Sequence, residues 1–173
     1  MKVLVAEDEK DIAASYRDMF KKRGYNFQIA LDGAECVKIY KKEAEYAAHE
    51  NGKSTSPLPF DVVILDYKMP KMNGMEAAKK ILEIHPRQRI MFISAVVEDM
   101  LEDSVKNLGR IVELVRKPFD PKGLIETVED AEVYRMLEKM NKALERLIAA
   151  NPDSDQLVEL LAALRKIMKG RTF

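Results

Sequence analysis

Phe60-Asp61-Val62-Val63-Ile64-Leu65-Asp66, running on into Tyr67-Lys68-Met69-Pro70, is the stretch that decides the fold of this 173-residue chain. A short Val- and Ile-rich run closed by a Pro signal has the pattern of a buried strand. A carboxylate at the C-terminal end of such a strand, here Asp66, lies where open α/β sheets place their ligands. Three other apolar runs end in chemistry of a related kind. Val3–Ala6 leads into Glu7 and Asp8, Ile90–Ile93 into Ser94, and Ile111–Val115 towards Lys117. Acids, a hydroxyl and an ammonium are thereby expected at one edge of one sheet.

Helical patterns fill the intervals. Ile12, Tyr16, Met19 and Phe20 fall at helical spacing over Glu9–Arg23, which Gly24 stops. Asn26–Leu31 reads as a strand, and Asp32-Gly33 turns into a helix over Ala34–His49 with Val37, Tyr40, Ala44 and Ala47 on one face. Asn51–Pro59 is polar and turn-rich, a surface loop. Further helices are expected over Asn73–Ile84 and Glu98–Leu108, and a strand over Arg89–Ile93. Strands alternating with helices imply an α/β fold with a parallel sheet covered on both faces. Right-handed crossovers then bring the strand C-termini to one side.

Composition bounds the answer without revealing it. The hydrophobic fraction of 47% supports a real core. Lys plus Arg and Asp plus Glu are both 29, so net charge offers no reason to expect nucleic acid or an anionic membrane as partner. The single cysteine, Cys36, reads as a small packed hydrophobe. No apolar stretch approaches the ~20 residues that span a bilayer, and the N-terminal run lacks the form of a signal peptide. The expectation is a cytoplasmic protein.

The strand-end residues suit a Mg²⁺-assisted phosphoryl acceptor. Forming an acyl phosphate needs a carboxylate nucleophile, a metal to neutralise the incoming group, and donors on its equatorial oxygens. Asp66 is the nucleophile of this reading. Asp8 and Asp66 ligate Mg²⁺ directly, Glu7 directly or through water, and the backbone carbonyl of Lys68 completes an oxygen set of the kind Mg²⁺ prefers. Ser94 and Lys117 hold the phosphoryl oxygens. An acid pair, a strand-end Ser or a Lys before Pro is individually commonplace; their order at successive strand ends is not.

On Glu7-Asp8, Asp66 with Met69-Pro70 and Asn73-Gly74, Ser94-Ala95 and Lys117-Pro118-Phe119, the chain resembles the receiver domain of two-component response regulators. The resemblance covers residues 1–128 and leaves 129–173 as a C-terminal helical extension. It implies a flavodoxin-like, doubly wound, five-stranded parallel sheet of order 2-1-3-4-5. It also implies phosphoryl transfer from a sensor histidine kinase or phosphotransfer protein to Asp66, Mg²⁺ dependence and a cis Lys117-Pro118 bond. It further implies a signalling protein rather than an enzyme, one that catalyses only its own phosphorylation, small acyl phosphates included, and its own slow dephosphorylation. The chain departs from the family pattern at Leu114, where an aromatic switch residue is common. Lys68 and Val96 stand at positions that tune hydrolysis in the family, and an apolar Val96 implies a long-lived phosphoryl group.

Beyond Asp120 no strand-like run appears. Pro121–Ala150 reads as one long helix, with Val133, Leu137, Met140, Leu144 and Leu147 in a stripe. Asn151-Pro152-Asp153-Ser154 breaks it before a second helix carrying Leu157, Leu161, Leu164 and Met168. The stripes pack on each other and on the domain, or they bury against a second copy or a partner, which would make the tail a homodimer seam or a docking surface. A helix-turn-helix needs about three helices and a basic recognition helix. The mixed charges of the tail and the terminal Arg165-Lys166, Lys169, Arg171 cluster speak against a transcription regulator that binds DNA. A Mg²⁺-dependent aspartyl phosphohydrolase is the alternative of another class; enzymes of the haloacid dehalogenase type carry an Asp two residues after the nucleophile, where this chain has Lys68. Gly52-Lys53-Ser54 echoes a P-loop but lacks its first glycine.

Overall fold

In the computed structural model, residues 1–51, 58–95 and 100–149 are described. The strands are β1 (Lys2–Ala6), β2 (Asn26–Ala30), β3 (Val62–Asp66), β4 (Ile90–Ser94) and β5 (Glu113–Arg116). They form one five-stranded parallel sheet ordered β2-β1-β3-β4-β5. The helices are α1 (Lys10–Arg23), α2 (Gly33–Asn51), α3 (Gly74–Ile84), α4 (Met100–Leu108), α5 (Pro121–Glu129) and α6 (Ala131–Ala149). The chain divides into two units, Met1–Ile93 and Ser94–Phe173.

In the first unit, every residue of β3 is buried, as is β1 from Val3 onward. A parallel strand covered on both faces has no polar side, which is why these segments read as unbroken apolar runs. Edge strand β2 is mostly half-buried and reads as mixed sequence. Tyr16 and Phe20 of α1, Tyr40 of α2 and Ile81 of α3 are all fully buried, each such side chain contributing about 1.5–3 kcal/mol on burial. The register pairs Ala6 with Leu65 and Asp66 with Ile93, so the acids that follow Ala6 emerge at the end of β3.

Local signals set the helix limits. Gly24 closes α1 in the left-handed conformation, φ 75°, with its amide on the Lys21 and Phe20 carbonyls. Asn73 caps α3: its side chain accepts from the Glu76 amide at 2.9 Å while the Glu76 carboxylate accepts from the Asn73 amide at 3.1 Å. At the sheet edge opposite the acids, the Tyr40 hydroxyl donates to Gln88 Oε1 at 2.8 Å and lies 3.0 Å from His85 Nδ1. Because that hydroxyl's proton is committed to Gln88, His85 donates from Nδ1. Gln88 Nε2 in turn donates to the Phe60 carbonyl at 3.0 Å.

The second unit departs from the sequence reading in two places. Pro121–Ala150 is not one helix: α5 ends at Glu129 and α6 begins at Ala131. Asp130 breaks it, its Oδ1 accepting from the Glu132 and Val133 amides at 3.0 and 2.9 Å, so its side chain competes for the backbone and starts a new helix. β5 begins at Glu113 rather than Ile111. The Asn141 side chain takes both backbone groups of Ile111, accepting from its amide at 2.6 Å and donating to its carbonyl at 2.9 Å. Ile111 therefore has nothing left for a strand ladder. Leu144 packs with Val105 and Ile111, joined by Leu114, Leu137 and Met140. The α6 stripe is thus buried at least partly within its own unit. The second tail helix, the terminal basic cluster, Val96 and Gly52-Lys53-Ser54 lie outside the described residues.

Candidate functional site

Glu7 and Asp8 follow β1 and Asp66 closes β3. The carboxylate oxygens of these three residues lie within 4.8 Å of one another. Glu7 is 1% and Asp66 9% exposed, while Asp8 is half-buried. Backbone geometry gathers them. The Glu7 amide donates to the Ala30 carbonyl at 3.0 Å, and the Tyr67 amide to the Ile93 carbonyl at 3.3 Å, which fix the turns on either side. An oxygen-only set of converging carboxylates is the chemistry of a hard divalent cation. The donor set fits Mg²⁺.

The loop after Asp66 is closely held. The Lys68 amide donates to Asp66 Oδ1 at 3.2 Å. The Gly74 amide donates to the Tyr67 carbonyl at 3.1 Å, and a Cβ on Gly74 would stand 2.2 Å from the Asp66 carbonyl oxygen. Only glycine lets α3 start there.

Tyr16 was legible in the sequence only as a core residue of α1. It is buried, and burial together with the charges of Glu7 and Asp66 pushes its hydroxyl far up from the ordinary tyrosine range. It stays protonated beside the acids. Helical spacing marked it as inward-facing, but no sequence signal indicated what it faces.

In the second unit, Ser94 is buried and Lys117 half-buried. The Lys117 amide donates to the Ser94 carbonyl at 2.8 Å, so the hydroxyl-bearing and ammonium-bearing residues are neighbours. The Lys117-Pro118 bond is cis. Leu114 is half-buried against the Val105–Ile111–Leu144 cluster. Cys36 is fully buried, and burial raises its thiol well above the usual range, which leaves it as packing.

The family model of the response regulator receiver domain matches residues 3–129. Sporulation initiation phosphotransferase F of Bacillus subtilis is 30% identical over 131 residues, 75% of this chain and 89% of that protein. The hybrid signal transduction histidine kinase I of Dictyostelium discoideum is 31% identical over 141 residues, 80% of this chain but 8% of that protein. The chain spans 12% or less of the length of the histidine kinases it matches. Among solved structures, a CheX–CheY–BeF3–Mg²⁺ complex from Borrelia burgdorferi is similar at a TM-score of 0.59 and 28% identity, covering 74% of this chain and 86% of that one. No helix among the described residues is long and apolar enough to cross a membrane.

Proposed function

Because the chain belongs to the family of response regulator receiver domains, we propose that it accepts a phosphoryl group on Asp66 from the phosphohistidine of a sensor kinase or phosphotransfer protein, and signals through protein contacts. One observation carries the assignment to this chain's own residues: the convergence of Glu7, Asp8 and Asp66 within 4.8 Å, with Asp66 at the end of a buried strand. An Asp66 oxygen forms the new O–P bond as the donor's N–P bond breaks, and the imidazole leaves with a proton. Glu7, Asp8, Asp66 and the Lys68 carbonyl would hold Mg²⁺, Glu7 directly or through water. When bound, the ion supplies the positive charge that lets an anionic nucleophile approach an anionic phosphoryl group. Ser94 donates to one equatorial oxygen and Lys117 to another. In this reading residues 1–128 are the receiver and 129–173 an extension, the protein acts catalytically only on itself, and it works in the cytoplasm beside its kinase.

Incubation with a small acyl phosphate and Mg²⁺, read by intact mass and acid-gel mobility, tests this. Wild type gains one phosphoryl group, which is lost in hydroxylamine and on chelation of the metal before labelling. Labelling that persists in Asp66→Asn would sink the assignment.

A further inference from the structure

The loop between Asp66 and α3 contains a strained link. Lys71 has a φ of 63°, a region that side-chain-bearing residues avoid, and the Met72 amide donates to the Pro70 carbonyl at 2.7 Å. This is a three-residue γ-turn of the left-handed kind, a rare form. A turn of this sort persists only where its surroundings over-determine it, and the surroundings are the β2–α2 turn. Lys71 Nζ lies 2.5 Å from Asp32 Oδ2. The Gly33 amide donates to the Met72 carbonyl at 3.2 Å. A Cβ on Gly33 would stand 2.4 Å from that same carbonyl oxygen.

Asp32 is built for this contact. Its other oxygen accepts from the Glu35 amide at 2.8 Å, which locks the carboxylate at the start of α2. The Lys71 hydrogen bond, with the Glu35 amide, holds its carboxyl below the usual carboxylate range. The Asp32 side chain is 9% exposed, whereas that of Lys71 is 73% exposed. An ion pair with so exposed a member adds little to global stability. Its effect is therefore local, and the locality is the segment leading from Asp66 through Lys68 to Gly74.

We propose that Asp32, Lys71 and Gly33 form a strap from the β2–α2 turn that holds the Asp66–Gly74 loop in the conformation needed to bind Mg²⁺, with Asp32 a positioning residue for phosphoryl acceptance. The inference rests on the acceptor reading above, in which the Lys68 carbonyl is a ligand. The strap comes from a segment 39 residues away in sequence and touches neither the phosphoryl group nor the ion.

The test is Mg²⁺ binding to the full chain by titration calorimetry, with beryllofluoride capture at saturating Mg²⁺ followed by ¹⁹F NMR. Asp32→Ser keeps an oxygen to cap α2 and deletes the charge facing Lys71. It and Lys71→Met are each expected to weaken Mg²⁺ binding about tenfold, the lower end of what loss of a ligand-orienting partner does. The double variant is no weaker than either single one, and Lys71→Arg restores binding. Gly33→Ala, which displaces Met72 without touching charge, reproduces the loss. Far-UV circular dichroism and melting of each variant establish that it is folded at the temperature of titration. If folded Asp32→Ser binds Mg²⁺ and captures beryllofluoride like wild type, the strap is overturned. Weakening by Lys71→Met alone also overturns it, because Lys71 then acts directly. A wild type with no Mg²⁺ binding that Asp66→Asn removes overturns the acceptor reading, and the strap with it.

Discussion

The two units treat buried polar groups in opposite ways. In the first, Glu7, Asp8 and Asp66 bring carboxylates within 4.8 Å of one another at the ends of β1 and β3. In the second, Asn141, 5% exposed, matches one donor and one acceptor to the amide and carbonyl of Ile111. The neutral pair is satisfied by its own fold and locks α6 to the approach to β5. The acid cluster gathers three carboxylates into an oxygen set that suits a hard divalent cation. One pattern is a structural lock, the other a candidate cation site.

Breaking the neutral pair has the largest expected effect on folding. Asn141→Ala leaves the buried Ile111 amide and carbonyl without that partner and destabilises the chain by about 3 kcal/mol. Urea or thermal unfolding measures this, while phosphoryl acceptance by the folded fraction stays at the wild-type level. If acceptance falls with stability unchanged, the two regions are not separable in this way.

The converse change sharpens the contrast. Glu7→Gln removes one of three converging carboxylates and is expected to weaken Mg²⁺ binding at least tenfold, read by titration calorimetry. Wild-type Mg²⁺ affinity in Glu7→Gln would take Glu7 out of the ligand set.

Leu114→Ala trims a half-buried side chain of the α4–β5–α6 cluster and should reduce stability by about 1–2 kcal/mol. Acceptance at Asp66 continues. Light scattering with and without beryllofluoride then shows whether any change in mass on activation survives without Leu114. Loss of every activation-dependent change would make Leu114 part of the switch rather than of the packing.

The smallest effects are those of pH. Glu43 accepts from Lys2 Nζ at 2.6 Å and from Gln28 Nε2 at 2.8 Å, and the Lys2 hydrogen bond, first among these, lowers its pKa. A carboxyl lowered in the folded state contributes stability above its unfolded pKa and loses it as pH falls through the folded one, here below about pH 4. Burial lowers the pKa of His85, so the unfolded chain binds a proton first and stability declines as pH falls below about 6.5. His85→Gln should flatten the upper part of that decline in a series of urea melts across pH. An unchanged slope would show that the Tyr40–His85–Gln88 network accepts the charged ring freely.

Much of the fold was legible because parallel strands and amphipathic helices write their periods into the chain. Val62–Leu65, Ile90–Ile93 and Val3–Ala6 have no polar residue to hide, and each lies in a strand of the sheet. Gly24 and Asn73 mark helix limits by chemistry that acts over a few residues. The acids were legible for the same reason, standing immediately after runs whose ends are clear. Asp130 shows the margin of such reading: an Asp inside an apolar stripe is compatible with a continuous helix, and here it caps a new one.

The amino-acid sequence by itself determined the order of the five strands and of the helices before Pro121, the strand-end positions of Glu7, Asp8, Asp66 and Ser94, and the family to which the chain is similar. Only the tertiary structure decided that Asp32 meets Lys71, that Asn141 takes the backbone of Ile111 and delays β5, and that the charges of Glu7 and Asp66 act on the buried Tyr16 hydroxyl. Periodicity is a local property and reports which face of an element is turned inward. Which two inward faces meet, and which polar atoms must then satisfy one another across 30 or 39 residues, depends on how the elements pack.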